Sequence, residues 1–181
     1  MNTMKTNEWL VIYGSGLILT FLALLYFTII GYPLVNTTIE TLHLRTPPIY
    51  MIPVFFTYGI LLGEICWLWI KKERKRSYIL LVQCMLIGLI ALTRYTLLIP
   101  FSGHAIILFF YLIHYLFMVD KKYLLRILIG FIILGMTIFY KIFIWSDLFT
   151  FLLGGMVGFI ISLIGIGYKI KNSSSRKMNN N

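Results

Sequence analysis

TRYTLLIPFSGHA, residues 93–105, lies between two long apolar runs and gathers an arginine, a proline, a serine, a glycine and a histidine. Pro100 lacks a backbone N–H and Gly103 tolerates positive φ, so this stretch breaks helix geometry. Ser102 is placed to cap a helix that begins near His104. The stretch therefore predicts a tight turn between two helices, with one cation, Arg94, and one imidazole close to it.

The composition of the chain predicts an integral membrane protein. Apolar residues make up 60% of the 181 residues and charged residues only 12%. A soluble domain is about half apolar and about a quarter charged. The net charge of +10 would by itself suggest nucleic acid, but the positions of the basic residues favour a membrane topology signal instead, and no nucleic-acid partner is predicted.

Six apolar runs have about the length that crosses a bilayer, roughly 17–25 helical residues, although the fourth and fifth are short and require a thin membrane or little tilt. They span residues 9–32, 49–70, 77–99, 104–119, 123–140 and 147–168. We predict an all-α, six-transmembrane-helix bundle over residues 1–168, followed by a polar, disordered cytoplasmic tail, 169–181. Gly154 and Gly158 in the last run have the spacing of a close helix contact.

The basic residues predict which side of the membrane each end faces, because cytoplasmic loops are enriched in Lys and Arg. With the N-terminus inside, 13 of the 16 basic residues fall on the inner face, and the outer face keeps only Arg45, Arg94 and Lys141. This asymmetry predicts a multi-pass protein of the cell membrane with both termini cytoplasmic. It also brings Arg94, His104 and Asp147, all at predicted helix ends, to one level at the outer face.

A second polar layer is predicted deeper in the bundle. Glu64 and His114 each lie seven residues before a lysine, and Gln83 lies seven after Arg76. At 1.5 Å per residue, all three are about 10 Å from the inner interface. Intramembrane ionisable residues are functional candidates. The alternative is a Glu–His or Glu–Gln hydrogen bond that fixes helix packing, and the sequence leaves both interpretations open.

Ser102-Gly103-His104, opening a predicted helix at the outer face, resembles the second motif of the type 2 phosphatidic acid phosphatase/haloperoxidase superfamily, Pro-Ser-Gly-His. The resemblance covers roughly residues 94–158. It implies that His104 protonates the leaving oxygen, that Ser102 and Gly103 contribute to phosphate binding, and that Arg94 from the first motif clamps the phosphate. A guanidinium fork suits bidentate recognition of an oxyanion.

The third motif of this superfamily is only partly matched. Asp147 falls on the aspartate that orients the nucleophile, but Phe143 occupies the position of the nucleophilic histidine. Without that imidazole the phosphohistidine mechanism has no nucleophile. Lys141 is near this position and cannot replace an imidazole. His43 is a candidate substitute, and His43, Arg45 and Lys141 are the accessory residues predicted at the outer face.

The resemblance implies a lipid-phosphatase-like membrane protein that acts on, or binds, a phosphorylated lipid at the extracytoplasmic face. Whether it is an active hydrolase is left open by Phe143. The alternatives are a small-solute-binding membrane subunit of an energy-coupling transporter and a non-enzymatic membrane protein. No cofactor or metal site is predicted, because the three histidines are scattered and no HxxxH, HExxH or CxxC spacing occurs. The oligomeric state remains open.

Overall fold

The structure, a computed structural model, describes residues 6–31, 52–97, 102–117, 123–143 and 148–178, with side chains for 7–31, 52–90, 102–117, 123–139 and 148–167. These residues form six helices and no strand. The helices are α1, Thr6–Ile29; α2, Ile52–Ile70; α3, Arg74–Leu97; α4, Gly103–Leu116; α5, Leu124–Phe143; and α6, Leu148–Met178. The prediction of an all-α fold is confirmed, and each helix overlaps one of the six apolar runs.

The end of α6 differs from the predicted disordered tail. The helix continues through Met178, ten residues beyond the end of the last apolar run at Tyr168. No glycine or proline follows Gly167 before the helix ends, and adding residues to an existing helix costs far less than nucleating a new one. A polar sequence without helix breakers therefore extends α6, and composition alone did not predict this.

The turn between α2 and α3 is fixed by a backbone motif that closes α2. Lys72 has a positive φ of 60°, the left-handed conformation that commonly ends a helix. The N–H groups of Lys72 and Glu73 donate to the carbonyls of Trp69 and Leu68, at 3.0 and 2.9 Å. These bonds satisfy carbonyls that the end of a helix leaves without partners. The chain reverses within three residues, so α3 returns antiparallel to α2.

Small residues bring α1 and α2 into close contact. The Ser15 hydroxyl donates to the carbonyl of Gly59 across the two helices at 2.7 Å. A methyl group added at Gly59 would lie 2.6 Å from the Cα of Gly16, and one added at Gly63 would overlap the Ser15 hydroxyl. Side chains larger than hydrogen at these glycines would force the helices apart, so the seam depends on them.

A second small-residue seam joins α4 to α6. A methyl group at Gly154 would overlap the carbonyl of Ser102, and one at Gly158 would overlap the carbonyl of Ile106. The predicted close contact at Gly154 and Gly158 is therefore confirmed. Because both pairs advance in the same direction along the two helices, α4 and α6 run parallel, with their first residues together.

The distribution of side chains is that of a protein whose surroundings are apolar. Large apolar residues are exposed along α1, α5 and α6, whereas Arg126 is among the most deeply buried side chains, only 1% exposed. In the described residues, three helical segments are long and apolar enough to cross a membrane: Asn7–Ile29, Ile52–Ile70 and Leu148–Gly167. Gly103–Leu116 and Leu124–Phe139 are shorter apolar helices. These features indicate association with a membrane.

Candidate functional site

The residues of the Ser-Gly-His motif lie at the start of α4, directly against the start of α6. The N–H of Ser102 donates to the carbonyl of Thr150 at 2.9 Å. Gly154, one turn further along α6, leaves room for the Ser102 carbonyl, which accepts the first bond of α4 from Ile106 at 3.1 Å. The starts of two parallel helices are thus held together by backbone contacts.

The hydroxyl of Ser102 does not act as the sequence predicts. Ser102 occupies the position before α4 with extended backbone angles, φ −81° and ψ 112°, but its side chain makes no capping hydrogen bond. The residue is fully buried, and its Oγ has no hydrogen-bond partner among the described residues. The position of the cap is correct, but the predicted side-chain capping bond is not formed, and Ser102 is held instead by the bond from its N–H to the Thr150 carbonyl. A buried hydroxyl is left next to the start of α4.

Gly103 and His104 are the first two residues of α4. His104 is half-buried, and its Nε2 atom is shielded from solvent. The N–H groups in the first turn of a helix have no acceptor within that helix and carry a partial positive charge. The buried Ser102 hydroxyl, the first-turn N–H groups and the His104 imidazole together offer the kinds of donor that bind an oxyanion.

The register of α3 brings Arg94 to the same level. Five residues separate α3 from α4, so α3 runs antiparallel to both α4 and α6. Gln83 of α3 donates from Nε2 to the carbonyl of Ile161 of α6 at 2.9 Å. Arg94 follows Gln83 by eleven residues and Thr150 precedes Ile161 by eleven, and both are therefore about 16 Å along the helices from that contact.

The other residues predicted at this end lie partly or wholly outside the described structure. His43, Arg45 and Asp147 are outside the described residues, although Asp147 directly precedes α6. Arg94 is in the last turn of α3, and Lys141 and Phe143 are in the last turn of α5, but their side chains are not among those described. Their roles remain predictions.

Comparisons with family models, curated proteins and solved structures found no match. The function of this chain is therefore inferred from its own residues.

The opposite end of the bundle contains a buried ion pair that the sequence did not predict. Arg126 of α5 donates from Nη1 to Oε2 of Glu64 at 2.8 Å, and Tyr115 of α4 donates to the same carboxylate oxygen at 2.5 Å. Glu8 at the start of α1 accepts a longer contact from Arg126 Nη2, at 3.5 Å. Side chains from four helices thus meet at one carboxylate and one guanidinium.

Aromatic rings surround this guanidinium. Its central carbon lies 5.2 Å from the ring centre of Tyr115 and 4.9 Å from that of Tyr123, distances typical of cation–π contacts. The Tyr123 hydroxyl accepts a hydrogen bond from Arg76 at 3.2 Å, and Arg76 also pairs with Glu73 at 3.2 Å. The buried pair is therefore connected to the charged turn between α2 and α3.

The predicted polar layer of Glu64, Gln83 and His114 does not contain the Glu–His or Glu–Gln hydrogen bond that the sequence left open as one interpretation. Glu64 and Gln83 are buried, but the hydrogen bonds of Glu64 go to Tyr115 and Arg126 rather than to His114 or Gln83. Gln83 instead bonds the backbone of α6. The His114 ring stacks on Phe110, with 5.7 Å between ring centres. The predicted Glu–His or Glu–Gln bond is wrong because Arg126 offers a stronger, charged donor.

One signal in the sequence could have found Arg126. It lies three residues after Tyr123, inside the fifth apolar run rather than between runs. A charged side chain within an apolar run commonly faces the bundle interior and pairs with an opposite charge. Glu64 is the acidic residue inside the second run, so the two could have been proposed as partners.

Proposed function

We propose that the protein binds the phosphate group of a phosphorylated lipid at the end of the bundle where α3 ends and α4 and α6 begin. The observation that carries this proposal is the Ser102 hydroxyl, fully buried and without a hydrogen-bond partner in the described structure. It lies at a helix N-terminus beside His104. Buried polar groups nearly always have a partner, and a phosphate oxygen would supply one here.

The chemistry of the surrounding residues suits a phosphate. First-turn N–H groups of α4 offer donors and a favourable dipole for an anion. Arg94, at the same level on α3, would add a bidentate, charge-assisted pair. His104, the second residue of α4, would donate a hydrogen bond to a phosphate oxygen. Asp147, next to the first residue of α6, would orient a group at the same site.

The exposed surface of α6 suits the lipid part of such a ligand. Leu148, Phe149 and Leu152 are exposed within the first five residues of this helix, Phe149 by 68%. Acyl chains could lie along these side chains while the head group reaches the start of α4. Placing this end of the bundle at the extracytoplasmic face follows from the proposed topology, in which the basic turn 71–76 is cytoplasmic.

We propose binding rather than hydrolysis as the function, because Phe143 stands where the resembling family has its nucleophilic histidine. In a hydrolytic protein, His104 would protonate the leaving oxygen as phosphorus is attacked. That step requires a nucleophile opposite the leaving group. A phenylalanine side chain at position 143 cannot be that nucleophile. A lipid-phosphate-binding relative of the phosphatases needs only the anion site.

The test is lipid binding by the purified protein in phosphatidylcholine nanodiscs that contain increasing fractions of phosphatidic acid. We expect saturable retention of phosphatidic acid, detected by mass spectrometry after exchange into lipid-free detergent. His104→Ala and Arg94→Ala should each weaken retention roughly tenfold, since a hydrogen bond to a charged group contributes about 1.5–3 kcal/mol. Equal retention by the wild type and both variants would contradict the proposal.

Arg76→Ala provides the matched control for the loss of a cation. Arg76 lies at the opposite end of the bundle, bonded to Glu73 and Tyr123, so its removal should leave phosphatidic acid retention at the outer end unchanged. Release of inorganic phosphate should be measured in the same samples. Phosphate release that His104→Ala abolishes would identify hydrolysis, rather than binding alone, as the function. The nucleophile would then have to come from a position other than 143.

A further inference from the structure

The polar cluster around Glu64 and Arg126 contains buried atoms that the protein itself does not satisfy. In the described residues, the Tyr111 hydroxyl, the Nε2 atom of His114 and the Nε atom of Arg126 are shielded from solvent and have no hydrogen-bond partner. Tyr111 is fully buried and Arg126 is 1% exposed. Three such atoms at one place are unusual, because the large majority of buried side-chain polar atoms are hydrogen-bonded.

These atoms belong to one neighbourhood. The Tyr111 and Tyr115 rings are in edge contact with 4.7 Å between their centres, and the His114 ring meets Tyr115 at 5.0 Å. Tyr115 itself bonds Glu64 and lies under the Arg126 guanidinium. Tyr111 and His114 therefore both lie against Tyr115, the residue that contacts Glu64 and Arg126.

Tyr13 brings α1 to the same place. Its hydroxyl is shielded from solvent and near enough to Arg126 to interact with it, but it has no hydrogen bond of full geometry in the described residues. Buried polar atoms of α1, α4 and α5 thus lie in one neighbourhood without a hydrogen-bond partner of full geometry in the described residues. Buried polar atoms without a protein partner are commonly hydrogen-bonded by a small molecule, such as water, bound between the side chains.

The charges restrict what that molecule can be. Arg126 is already paired with Glu64 at 2.8 Å and has Glu8 at 3.5 Å, so an anion would find no excess positive charge. The Nε–H of arginine can only donate, whereas tyrosine hydroxyls both donate and accept. A cation bound at Arg126 Nε is therefore excluded, and a neutral molecule with both functions fits these atoms.

We propose that Tyr111, His114 and Arg126, with Tyr13, line a site for a small neutral molecule that donates and accepts hydrogen bonds, water or a hydroxylated solute. The site lies at the opposite end of the bundle from Ser102 and is independent of the proposed phosphate-binding function. It explains how a guanidinium, an imidazole and two phenols are kept buried together.

The test uses the sign of a stability change. Removing a buried hydroxyl that has no partner leaves stability unchanged or raises it, whereas removing one that is hydrogen-bonded lowers it. We expect Tyr111→Phe to lower the melting temperature of the full-length protein in detergent by roughly 2–4 °C, followed by tryptophan fluorescence. A melting temperature equal to or above that of the wild type would overturn the proposal.

Two matched Tyr→Phe variants calibrate the measurement. Tyr115→Phe removes a hydroxyl that bonds Glu64 and should lower the melting temperature. Tyr78→Phe removes one from an exposed side chain and should leave it unchanged. Native mass spectrometry then identifies the source of the ligand. An extra mass carried by the wild type and lost in Tyr111→Phe indicates a hydroxylated solute, and a destabilised variant without any such mass indicates water.

Discussion

Arg126 and Glu64 form a buried ion pair between α5 and α2, with 2.8 Å between Nη1 and Oε2 and side chains that are 1% and 2% exposed. The two residues are 62 positions apart in the sequence. Each residue also bonds a further helix. Glu64 accepts a hydrogen bond from Tyr115 of α4, and Arg126 donates a longer one to Glu8 of α1. One charge pair therefore links four helices at the end of the bundle opposite Ser102.

We expect Arg126→Met to destabilise the protein strongly. The substitution leaves Glu64 charged, buried and without its cation, and breaking a buried pair in this way costs about 3–5 kcal/mol. The double variant Arg126→Met with Glu64→Gln removes both charges and should recover most of that loss. Detergent-solubilised protein, melted in parallel for the wild type and both variants, provides the measurement.

The pair of Arg76 and Glu73 serves as the exposed counterpart. Its side chains are 34% and 50% exposed, and exposed pairs contribute about 0–1 kcal/mol. Glu73→Gln should therefore change the melting temperature little. If Arg126→Met were as mild as Glu73→Gln, the buried pair would not be a determinant of stability.

The same pair shows how far the sequence determines the structure. Apolar run lengths predict the six helices, because a backbone in apolar surroundings has to satisfy its own hydrogen bonds, as a helix does. Glu64 is recognisable as an interior charge for the same reason. Its partner Arg126 also lies inside an apolar run, but so close to the start of that run that its side chain could equally extend to the interface. Only the neighbouring α2 and α4 determine that Arg126 turns inward.

The region around Ser102 also combines features that the sequence predicts with features that only the packed structure shows. The sequence predicts a helix start at Ser102-Gly103-His104, and α4 begins at Gly103. The bond from the Ser102 N–H to the Thr150 carbonyl depends on which helix packs beside α4. That choice follows from Gly154 and Gly158, whose spacing predicts a close contact without naming the partner. Local chemistry was readable from the sequence, and pairing between distant segments was not.

We expect Gly63→Ala to destabilise the contact between α1 and α2. The added methyl would overlap the Ser15 hydroxyl and lie 2.8 Å from the Cα of Ile12, a backbone atom that cannot move by itself. Overpacking of this kind typically costs about 1–3 kcal/mol. Gly14→Ala is the control, because a methyl there meets nothing within 4 Å and should stabilise α1 by up to about 1 kcal/mol. We expect the melting temperature to fall in Gly63→Ala and to rise in Gly14→Ala. A loss of stability in both variants would contradict the close packing of α1 against α2 at Gly63.

We expect Ser102→Ala to separate ligand binding from stability. The Ser102 hydroxyl has no partner in the described protein, so its removal should leave the melting temperature unchanged or raise it. The same change should weaken phosphatidic acid retention if the hydroxyl bonds a phosphate oxygen. Ser77→Ala is the comparison, because its hydroxyl bonds the Ile65 carbonyl at 3.0 Å, and it should lower the melting temperature without affecting retention. Unchanged retention of phosphatidic acid by Ser102→Ala would show that the Ser102 hydroxyl does not bind the phosphate.

The proposed orientation makes the two ends of the bundle accessible from different sides of the membrane. In a protein with Cys66 and Cys84 replaced by Ser, single cysteines introduced as Lys72→Cys and Asn36→Cys report the two sides. Lys72 lies in the exposed turn between α2 and α3, and Asn36 lies between the first two apolar runs, residues 33–48, which the predicted topology places outside. A membrane-impermeant maleimide added to intact cells should label Asn36→Cys, and Lys72→Cys only after permeabilisation.

The labelling pattern also determines where a phosphorylated lipid could reach the protein. Lys72 precedes α3, whereas Ser102 follows it, so the length of one helix separates the two ends. Labelling of Lys72→Cys from outside would place the Ser102 end in the cytoplasmic leaflet, and the ligand would then be a lipid of that leaflet. Labelling of both cysteines from the same side would mean that α2 does not cross the membrane, and the six-span topology would be wrong.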